Sequence, residues 1–165
     1  MELKNKVVLI TGGTRGIGAQ TALAFAKAGS RVIINARHEM PSDLEQQLTD
    51  LGAQPTFLPA DLSDSEAAEK LAKDAWAKYQ QIDVLVNNAG INKDKLLIGM
   101  KTSDFDDVMN VNVRGPFVLT KAILKKMYKQ RSGAIINLAS VVGLHGNAGQ
   151  ANYAASKAAI IGLTK

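Results

Sequence analysis

A tyrosine and a lysine near the end of this chain are spaced for proton-transfer chemistry. Tyr153 and Lys157 are four residues apart, so on a helix they share one face, about 6 Å apart along the axis. Free tyrosine has a pKa of about 10, and a value near neutrality requires on the order of 4 kcal/mol of preferential phenolate stabilisation. A nearby ammonium supplies such stabilisation. Tyr153 is therefore a candidate proton donor with Lys157 as its charged neighbour.

Two further polar motifs precede this pair. Ser140 lies 13 residues before Tyr153 and follows an apolar run. A serine hydroxyl in that position can donate a hydrogen bond to a substrate carbonyl and stabilise a developing oxyanion. Asn87-Asn88-Ala89-Gly90 follows an earlier apolar run. The Tyr-x-x-x-Lys spacing alone is weak, since many helices contain it by chance, but together with this serine, the Asn-Asn-Ala-Gly motif and a glycine-rich turn near the amino terminus it is a strong signal.

A glycine-rich turn near the amino terminus indicates a nucleotide site. The segment reads Thr11-Gly12-Gly13-Thr14-Arg15-Gly16-Ile17-Gly18. Glycines allow a tight strand-to-helix turn, and the helix N-terminus then presents free N–H groups to a pyrophosphate. The spacing differs from the common Gly-x-Gly-x-x-Gly fingerprint. Taken alone, the turn is a moderate signal for a nucleotide site, and an ordinary glycine-rich turn between a strand and a helix is the alternative.

The end of the second predicted strand bears on the choice of cofactor. An acidic residue there favours NAD by accepting hydrogen bonds from the ribose, whereas an arginine accommodates a 2′-phosphate. This strand ends in Asn35-Ala36-Arg37, with no acid before Glu39. Arg15 in the glycine turn can reach the same position. Each arginine alone could be a surface charge, but the pair favours NADP(H).

The alternating elements predict how these residues are positioned. Buried, β-branched runs predict strands over Lys6–Thr11, Arg31–Asn35, Pro55–Ala60, Asp83–Val86 and Ala134–Leu138. Helical periodicity covers Gly16–Ala28, Ser42–Leu51 (N-cap Ser42), Ser63–Gln80 (N-cap Ser63 with Glu66), Ser103–Arg131 (bent at Gly115–Pro116) and Gln150 onward. We predict one α/β domain over residues 1–165, a doubly wound parallel sheet of the Rossmann type, with every motif at the carboxyl edge of its strands.

The composition excludes several classes of protein. The chain has no cysteine, so disulfides, zinc–thiolate sites and thiol catalysis are excluded, and we expect no metal site. The net charge is +5 with only 5% aromatic residues, which does not suit a nucleic-acid binder. No apolar run is long enough to span a membrane, and the N-terminus does not resemble a signal peptide. We expect a soluble, cytoplasmic protein.

Taken together, these motifs resemble the short-chain dehydrogenase/reductase family over the whole chain. The resemblance implies that Tyr153 is the general acid, that Lys157 also holds the nicotinamide ribose, that Ser140 binds the substrate carbonyl, and that Asn112 holds a water for proton relay. It also implies a cofactor site made of Gly12, Thr14, Arg15, Gly16, Ile17, Gly18, Arg37, Asp61, Leu62, Asn88, Ala89, Gly90, Tyr153 and Lys157, with Asp61 and Leu62 against the adenine. Asn112 could instead be an ordinary polar helix residue. His145 matches no family role, and Trp76 suits helix packing.

Within the family, the segments Asn87–Asp94 and Asn137–Gly143 are similar to those of bacterial reductases acting on 3-oxoacyl groups bound to acyl carrier protein. This implies reduction of a 3-oxoacyl thioester in fatty acid biosynthesis, and a homotetramer. The basic group Lys125, Lys126, Lys129 and Arg131 could dock the carrier, chiefly through Lys129 and Arg131, or simply complement a helix dipole. Acyl-CoA, sugar or steroid substrates remain alternatives, as does a non-catalytic nucleotide-binding module.

The family pattern continues past Lys165. The resemblance therefore predicts that Ala134–Leu138 forms an exposed apolar sheet edge, prone to self-association, in the 165-residue chain. It also predicts that one wall of the substrate pocket lies outside this sequence, which makes the chain by itself a poor enzyme.

Overall fold

The computed structural model describes residues 2–165 and has alternating strands and helices. The strands are β1 Val7–Thr11, β2 Arg31–Ala36, β3 Thr56–Pro59, β4 Val84–Asn87 and β5 Ala134–Asn137. The helices are α1 Gly16–Lys27, α2 Ser42–Asp50, α3 Ser65–Tyr79, α4 Thr102–Met109, α5 Gly115–Gln130, α6 Val142–His145 and α7 Ala151–Thr164. All five predicted strands are confirmed, with ends that differ by at most one residue.

The strands form one parallel sheet in the order β3-β2-β1-β4-β5. Because chain order reverses between β1 and β4, the sheet is doubly wound, with a crevice at the carboxyl ends of these two strands. Val8 pairs with Val32 of β2 on one side and with Val84 of β4 on the other. The predicted α/β class is confirmed.

Each face of the sheet packs against its own pair of helices. Leu9 and Leu85 belong to a buried cluster with residues of α3 and α5. Ile10 and Ile34 belong to a second cluster with residues of α1 and α2. This is why β1, β2 and β4 are continuously apolar: successive side chains point to opposite faces, and both faces are covered. Trp76 of α3 packs partly buried against the first cluster, as predicted.

The long helix predicted over Ser103–Arg131 is interrupted. A π-helical turn, Asn110–Arg114, separates α4 from α5, so the break lies just before the predicted bend at Gly115–Pro116. Gly115 is packed so closely that a Cβ there would lie 2.4 Å from Leu62 O. The glycine therefore lets the start of α5 pack closely against the segment after β3. The π turn, with its one extra residue, lies directly before this close contact in the chain.

Two predicted helix caps are wrong. The N-cap of α3 is Asp64, whose carboxylate accepts a hydrogen bond from Glu66 N at 2.8 Å. Ser63, the predicted cap, instead donates its N–H to the Asp61 carboxylate at 2.9 Å. A carboxylate accepts more strongly than a hydroxyl, which explains the shift by one residue. For α2 the N-cap is Pro41, and Ser42 is the first helical residue.

Strand β5 lies at the end of the sheet, paired only with β4 among residues 2–165. Its Ile136 side chain is 42% exposed, so the predicted apolar edge is present. Among the same residues, no helix combines the length and the apolar character needed to cross a bilayer.

Candidate active site

A cleft of about 650 Å³ opens at the carboxyl ends of the strands. It lies at the topological switch point between β1 and β4, where ligands bind in doubly wound folds. Its walls come from the glycine turn, the ends of β2, β3 and β4, and the π-helical turn. The lining residues are Gly12, Thr14, Arg15, Gly16, Gly18, Asn35, Ala36, Arg37, His38, Ala60, Asp61, Leu62, Asn88, Ala89, Gly90, Ile91 and Val111.

The glycine turn is shaped by two glycines for different reasons. Gly16 has a φ of +53°, a left-handed conformation that side chains disfavour. At Gly18, a Cβ would lie 2.2 Å from Gly12 O, which is backbone and cannot move aside. The N-cap of α1, Arg15, makes no side-chain capping bond. The first N–H groups of α1 therefore face the cleft without a side-chain cap and suit an anion.

The segment after β4 is fastened to the end of β1. Thr11 Oγ1 accepts hydrogen bonds from the N–H groups of Asn88 and Ala89, both at 3.1 Å. The Asn88 amide donates to Thr11 O at 2.9 Å and to Gly12 O at 3.0 Å. Asn88 thus uses its side chain to hold two loops together, while Ala89 and Gly90 line the cleft beside them.

The far end of the cleft is cationic. Arg15 and Arg37 are exposed and line it together. Asn35 is buried, and both N–H bonds of its amide are engaged by Leu58 O and Ala60 O. The hydrogen bond from Ser63 N–H holds the pKa of the Asp61 carboxyl below its ordinary value, and the positive charge of Arg37 acts in the same direction.

Tyr153 and Lys157 lie in the first half of α7, as predicted. Lys157 is only 6% exposed, and its Nζ donates to Leu138 O at 2.6 Å. The same Nζ lies 5.6 Å from the centre of the Tyr153 ring. Burial lowers the pKa of the Lys157 ammonium, because desolvation disfavours the charged form. The structure thus places a desolvated cation beside the tyrosine.

Ser140 follows β5 and is held against α7 by the short helix α6. Its Oγ accepts a hydrogen bond from Val142 N at 3.2 Å. Gly143 packs so closely on α7 that a Cβ there would lie 2.7 Å from the Lys157 carbonyl carbon. Because the hydroxyl oxygen accepts from the backbone, its own proton is left to donate elsewhere.

Asn112, in the π-helical turn, is buried and forms a cluster of side-chain bonds. Its Oδ1 accepts from Ile91 N at 2.8 Å, and its Nδ2 donates to Ile91 O at 2.9 Å. Nδ2 also donates to Ser156 Oγ at 3.1 Å, and that hydroxyl donates to Tyr153 O at 2.8 Å. Asn112 thus ties the segment after Gly90 to the helix that carries Tyr153. Its amide is thus engaged at both ends inside the protein, unlike that of a polar helix residue that faces solvent.

The predicted residues fall into two adjoining groups. The cleft includes every predicted nucleotide residue except Ile17, Tyr153 and Lys157, and the Ile17 side chain is 70% exposed. The four predicted catalytic residues lie outside its lining. Gly90 joins the groups, because a Cβ there would lie 3.3 Å from Asn112 Oδ1 and 3.9 Å from Lys157 Nζ.

Three further residues contribute to the site and were missed in the sequence. Thr11 organises the segment after β4, Ser156 links Asn112 to Tyr153, and His38 lines the cleft. Thr11 immediately precedes the glycines, and Ser156 lies three residues after Tyr153 on one helix face, so spacing could have indicated both. His145, exposed in α6, lies outside the cleft lining.

Comparison with known proteins supports this geometry. A family model described as short chain dehydrogenase matches residues 6–165. The chain belongs to the short-chain dehydrogenase family. A relative from Synechocystis named 3-oxoacyl-[acyl-carrier-protein] reductase is 44% identical over 99% of this chain and 67% of its own length. A relative of the same name from Thermotoga maritima is 45% identical over 100% of this chain and 68% of its own length. The chain thus spans about two thirds of the length of these curated relatives.

A solved structure of the same family has the same fold. It is a metagenomic short-chain oxidoreductase in complex with NADP, 34% identical, with a TM-score of 0.93 over 99% of this chain and 74% of its own. The predicted family and the predicted fold are therefore confirmed, and the chain comes from a lineage of oxidoreductases that use a nicotinamide cofactor.

Proposed function

We propose that this protein reduces a 3-oxoacyl thioester, carried by acyl carrier protein, to the 3-hydroxyacyl thioester with NADPH in cytoplasmic fatty acid synthesis. The observation that carries the proposal is the buried Lys157 ammonium beside the Tyr153 ring, next to Gly90 of the cleft. The names of the curated relatives support the substrate class.

The residues of the cleft fit a dinucleotide with a 2′-phosphate. The uncapped N-terminus of α1 suits the pyrophosphate. Arg15 and Arg37 suit the 2′-phosphate, and nothing acidic at the end of β2 opposes it. Asp61 and Leu62 would flank the adenine, and Ala89 and Gly90 the adenosine side. The cofactor supplies the hydride to the carbonyl carbon.

The reaction itself falls to the residues of α6 and α7. Ser140 donates its free hydroxyl proton to the substrate carbonyl oxygen and thereby polarises it. Tyr153 then gives its phenolic proton to the alkoxide oxygen that forms. Lys157 offsets the negative charge left on the tyrosine. An ammonium has three N–H donors, and the bond to Leu138 O uses one, so others are left for the nicotinamide ribose.

For Asn112 the proposed role is positioning. Both N–H bonds of its amide are used, by Ile91 O and Ser156 Oγ, and the residue is 2% exposed. A relay water held by Asn112 would therefore bind its main-chain carbonyl in the π turn, where α-helical bonding is interrupted. The side chain instead fixes the distance between the cleft and the Tyr153 helix.

Partners of two kinds fit the surface. Lys129 and Arg131 are exposed at the end of α5, together with Lys125, and we propose that they dock the acidic carrier. A second groove, about 790 Å³, runs between α4, the π turn, α5 and α7, and its apolar lining includes Val113, Phe117 and Leu163. We propose this groove as part of a homo-oligomer interface, as in a tetramer.

The first experiment follows NADPH absorbance with an acetoacetyl thioester, using the protein, Tyr153→Phe and Tyr128→Phe. Tyr128 is 84% exposed on α5 and is the matched control. We expect turnover with NADPH to exceed turnover with NADH. Turnover should fall about 10³-fold in Tyr153→Phe only, which is the scale expected when a proton donor is missing. Equal loss in both variants, or full activity in Tyr153→Phe, contradicts the proposed mechanism.

The same assay tests the carrier. Reversing the charge of Lys129 and Arg131 should raise KM for the carrier-bound substrate and leave KM for a small acetoacetyl thioester unchanged. An equal change for both substrates would contradict docking at these two residues.

A further inference from the structure

His38 lines the nucleotide cleft, and neither the motifs nor the proposed reaction uses it. We propose that His38 is a third, titrating contact for the cofactor's 2′-phosphate, so that the preference for a 2′-phosphorylated nucleotide strengthens when its imidazole is protonated. The inference rests on the proposed NADPH site and names a residue that sets its specificity.

The backbone at the end of β2 places His38 on this wall. Ala36 is the last residue of β2, and its carbonyl accepts the Ala60 N–H at 3.1 Å. The Asn35 amide also donates to Ala60 O at 3.2 Å, which ties the ends of β2 and β3 together. Strands β2 and β3 therefore end at the same level of the sheet. His38, two residues after Ala36, and Asp61, which follows Ala60, therefore both line the cleft.

The charges around His38 explain why its protonation matters. Two arginines line the cleft with His38, Arg37 from the same segment and Arg15 from the glycine turn, and one carboxylate, Asp61, comes from the segment after β3. The hydrogen bond from Ser63 N–H keeps the pKa of the Asp61 carboxyl low, so it stays ionised near neutrality and offsets one arginine. A protonated His38 would double the remaining net positive charge.

Linkage gives the sign of the effect. A free imidazole titrates at about pH 6.5 and the second proton of a phosphate monoester at about pH 6. A bound phosphate dianion favours the imidazolium, so binding takes up protons at His38. The surrounding cations favour the dianion, so the phosphate itself releases protons. The two contributions have opposite signs, and replacing His38 removes only the first.

The chain has two histidines, which makes the measurement direct. The imidazole titrations of His38 and His145 are followed by NMR in the protein alone, with adenosine 2′,5′-bisphosphate, and with adenosine 5′-monophosphate. His38→Asn assigns the resonances, and His145, exposed in α6 and outside the cleft lining, is the internal control. No turnover is needed for either readout.

We expect the bisphosphate to move the His38 titration to higher pH by about 0.5 to 1, and the monophosphate to leave it in place. By linkage, binding to the protonated form is about three- to tenfold tighter than to the neutral form. The effect is modest because His38 is exposed and its charge is screened. In calorimetry, the pH dependence of bisphosphate binding in the protein and in His38→Asn should differ by the same three- to tenfold factor, whereas His145→Asn should behave like the protein.

The outcomes separate this inference from the one on which it rests. If the bisphosphate binds more tightly than the monophosphate while the His38 titration stays fixed, His38 is no phosphate contact, and the NADPH site stands. If the two nucleotides bind equally, the 2′-phosphate site itself is absent, and both proposals fall. A His145 titration that moves as far as that of His38 would also overturn the specific contact.

Discussion

The nucleotide cleft and the region around Tyr153 are built in different ways. In the cleft, the turn Thr11–Gly18 forms the phosphate site largely from main chain, with a left-handed conformation at Gly16 and no room for a Cβ at Gly18. Around Tyr153, side chains from distant segments hold one another. The first kind of site is encoded in a short stretch of sequence, whereas the second exists only once the chain has folded.

Sequence separation makes the difference concrete. Asn112 bonds to Ile91 across 21 residues and to Ser156 across 44. Lys157 reaches Leu138 O across 19. By contrast, the glycine turn occupies eight consecutive residues, and its distant support comes chiefly from Asn88 and Ala89. We therefore expect substitutions in the two regions to separate nucleotide binding from turnover.

The largest effect is expected for Gly18→Ala. The new methyl group would lie 2.2 Å from Gly12 O and 2.5 Å from the Asn88 amide nitrogen, so the start of α1 has to move away from the turn. We expect a loss of about 3 to 5 kcal/mol in the free energy of unfolding, the range of severe overpacking, and no measurable nucleotide binding. Denaturant unfolding and titration with NADPH measure the two quantities.

Gly162→Ala is the matched control for this substitution. Gly162 lies exposed in α7, where a Cβ meets nothing within 4 Å. Alanine there should be neutral or stabilise by up to about 1 kcal/mol, because it is the better helix former. Nucleotide binding that survives in Gly18→Ala would show that the turn is less constrained than its close packing indicates.

A smaller, selective effect is expected for Asn112→Ala. The substitution leaves the Ile91 N–H and the Ser156 hydroxyl without their buried partner, at a cost of about 2 to 3 kcal/mol in stability. Because Ser156 positions the Tyr153 turn, kcat should fall about 10- to 100-fold. The NADPH dissociation constant should change less, since the glycine turn is untouched.

The control for Asn112 is Asn92→Ala. Asn92 is exposed, and its amide makes one long hydrogen bond of 3.3 Å to Asp94, so stability should stay within about 0.5 kcal/mol. If Asn112→Ala weakens NADPH binding as much as it lowers kcat, the two regions are one cooperative unit, and the contrast between them does not hold.

The same contrast explains what the sequence could predict. The strands, the crevice and the glycine turn can be predicted from local patterns, because continuous apolar runs indicate buried strands and the spacing of Thr11–Gly18 indicates the turn. The position of Tyr153 and Lys157 on one helix face also follows from spacing alone. The doubly wound sheet therefore agrees with the prediction, apart from strand ends shifted by one residue.

The features that the sequence did not predict depend on contacts between distant segments or on competition between adjacent residues for the same role. The π turn depends on the cluster around Asn112 and on the packing of Gly115 against Leu62, neither of which a helical periodicity reports. The cap at Asp64 rather than Ser63 reflects a competition that pattern rules do not decide.

The smallest effect concerns Lys157 and the pH dependence of stability. Because burial lowers its pKa below the ordinary 10.5, the folded protein binds fewer protons than the unfolded chain between the lowered value and 10.5. Stability should therefore rise with pH across that window, and the cost of the buried charge is fully present below it. Lys157→Met lacks the group, so its unfolding free energy should not show this alkaline rise.

Denaturant unfolding between pH 7 and about pH 10.5 measures the difference, with Lys129→Met as the control, since Lys129 is exposed at the end of α5. The unfolding free energy of the protein minus that of Lys157→Met should rise with pH. The Lys129→Met variant should keep the same alkaline rise as the protein. A flat difference would mean that the bond to Leu138 O compensates for burial. A rise would mean that the buried ammonium of Lys157 destabilises the fold while it keeps a cation where the phenolate charge develops. The glycine turn forms its site from main chain and needs no such buried charge.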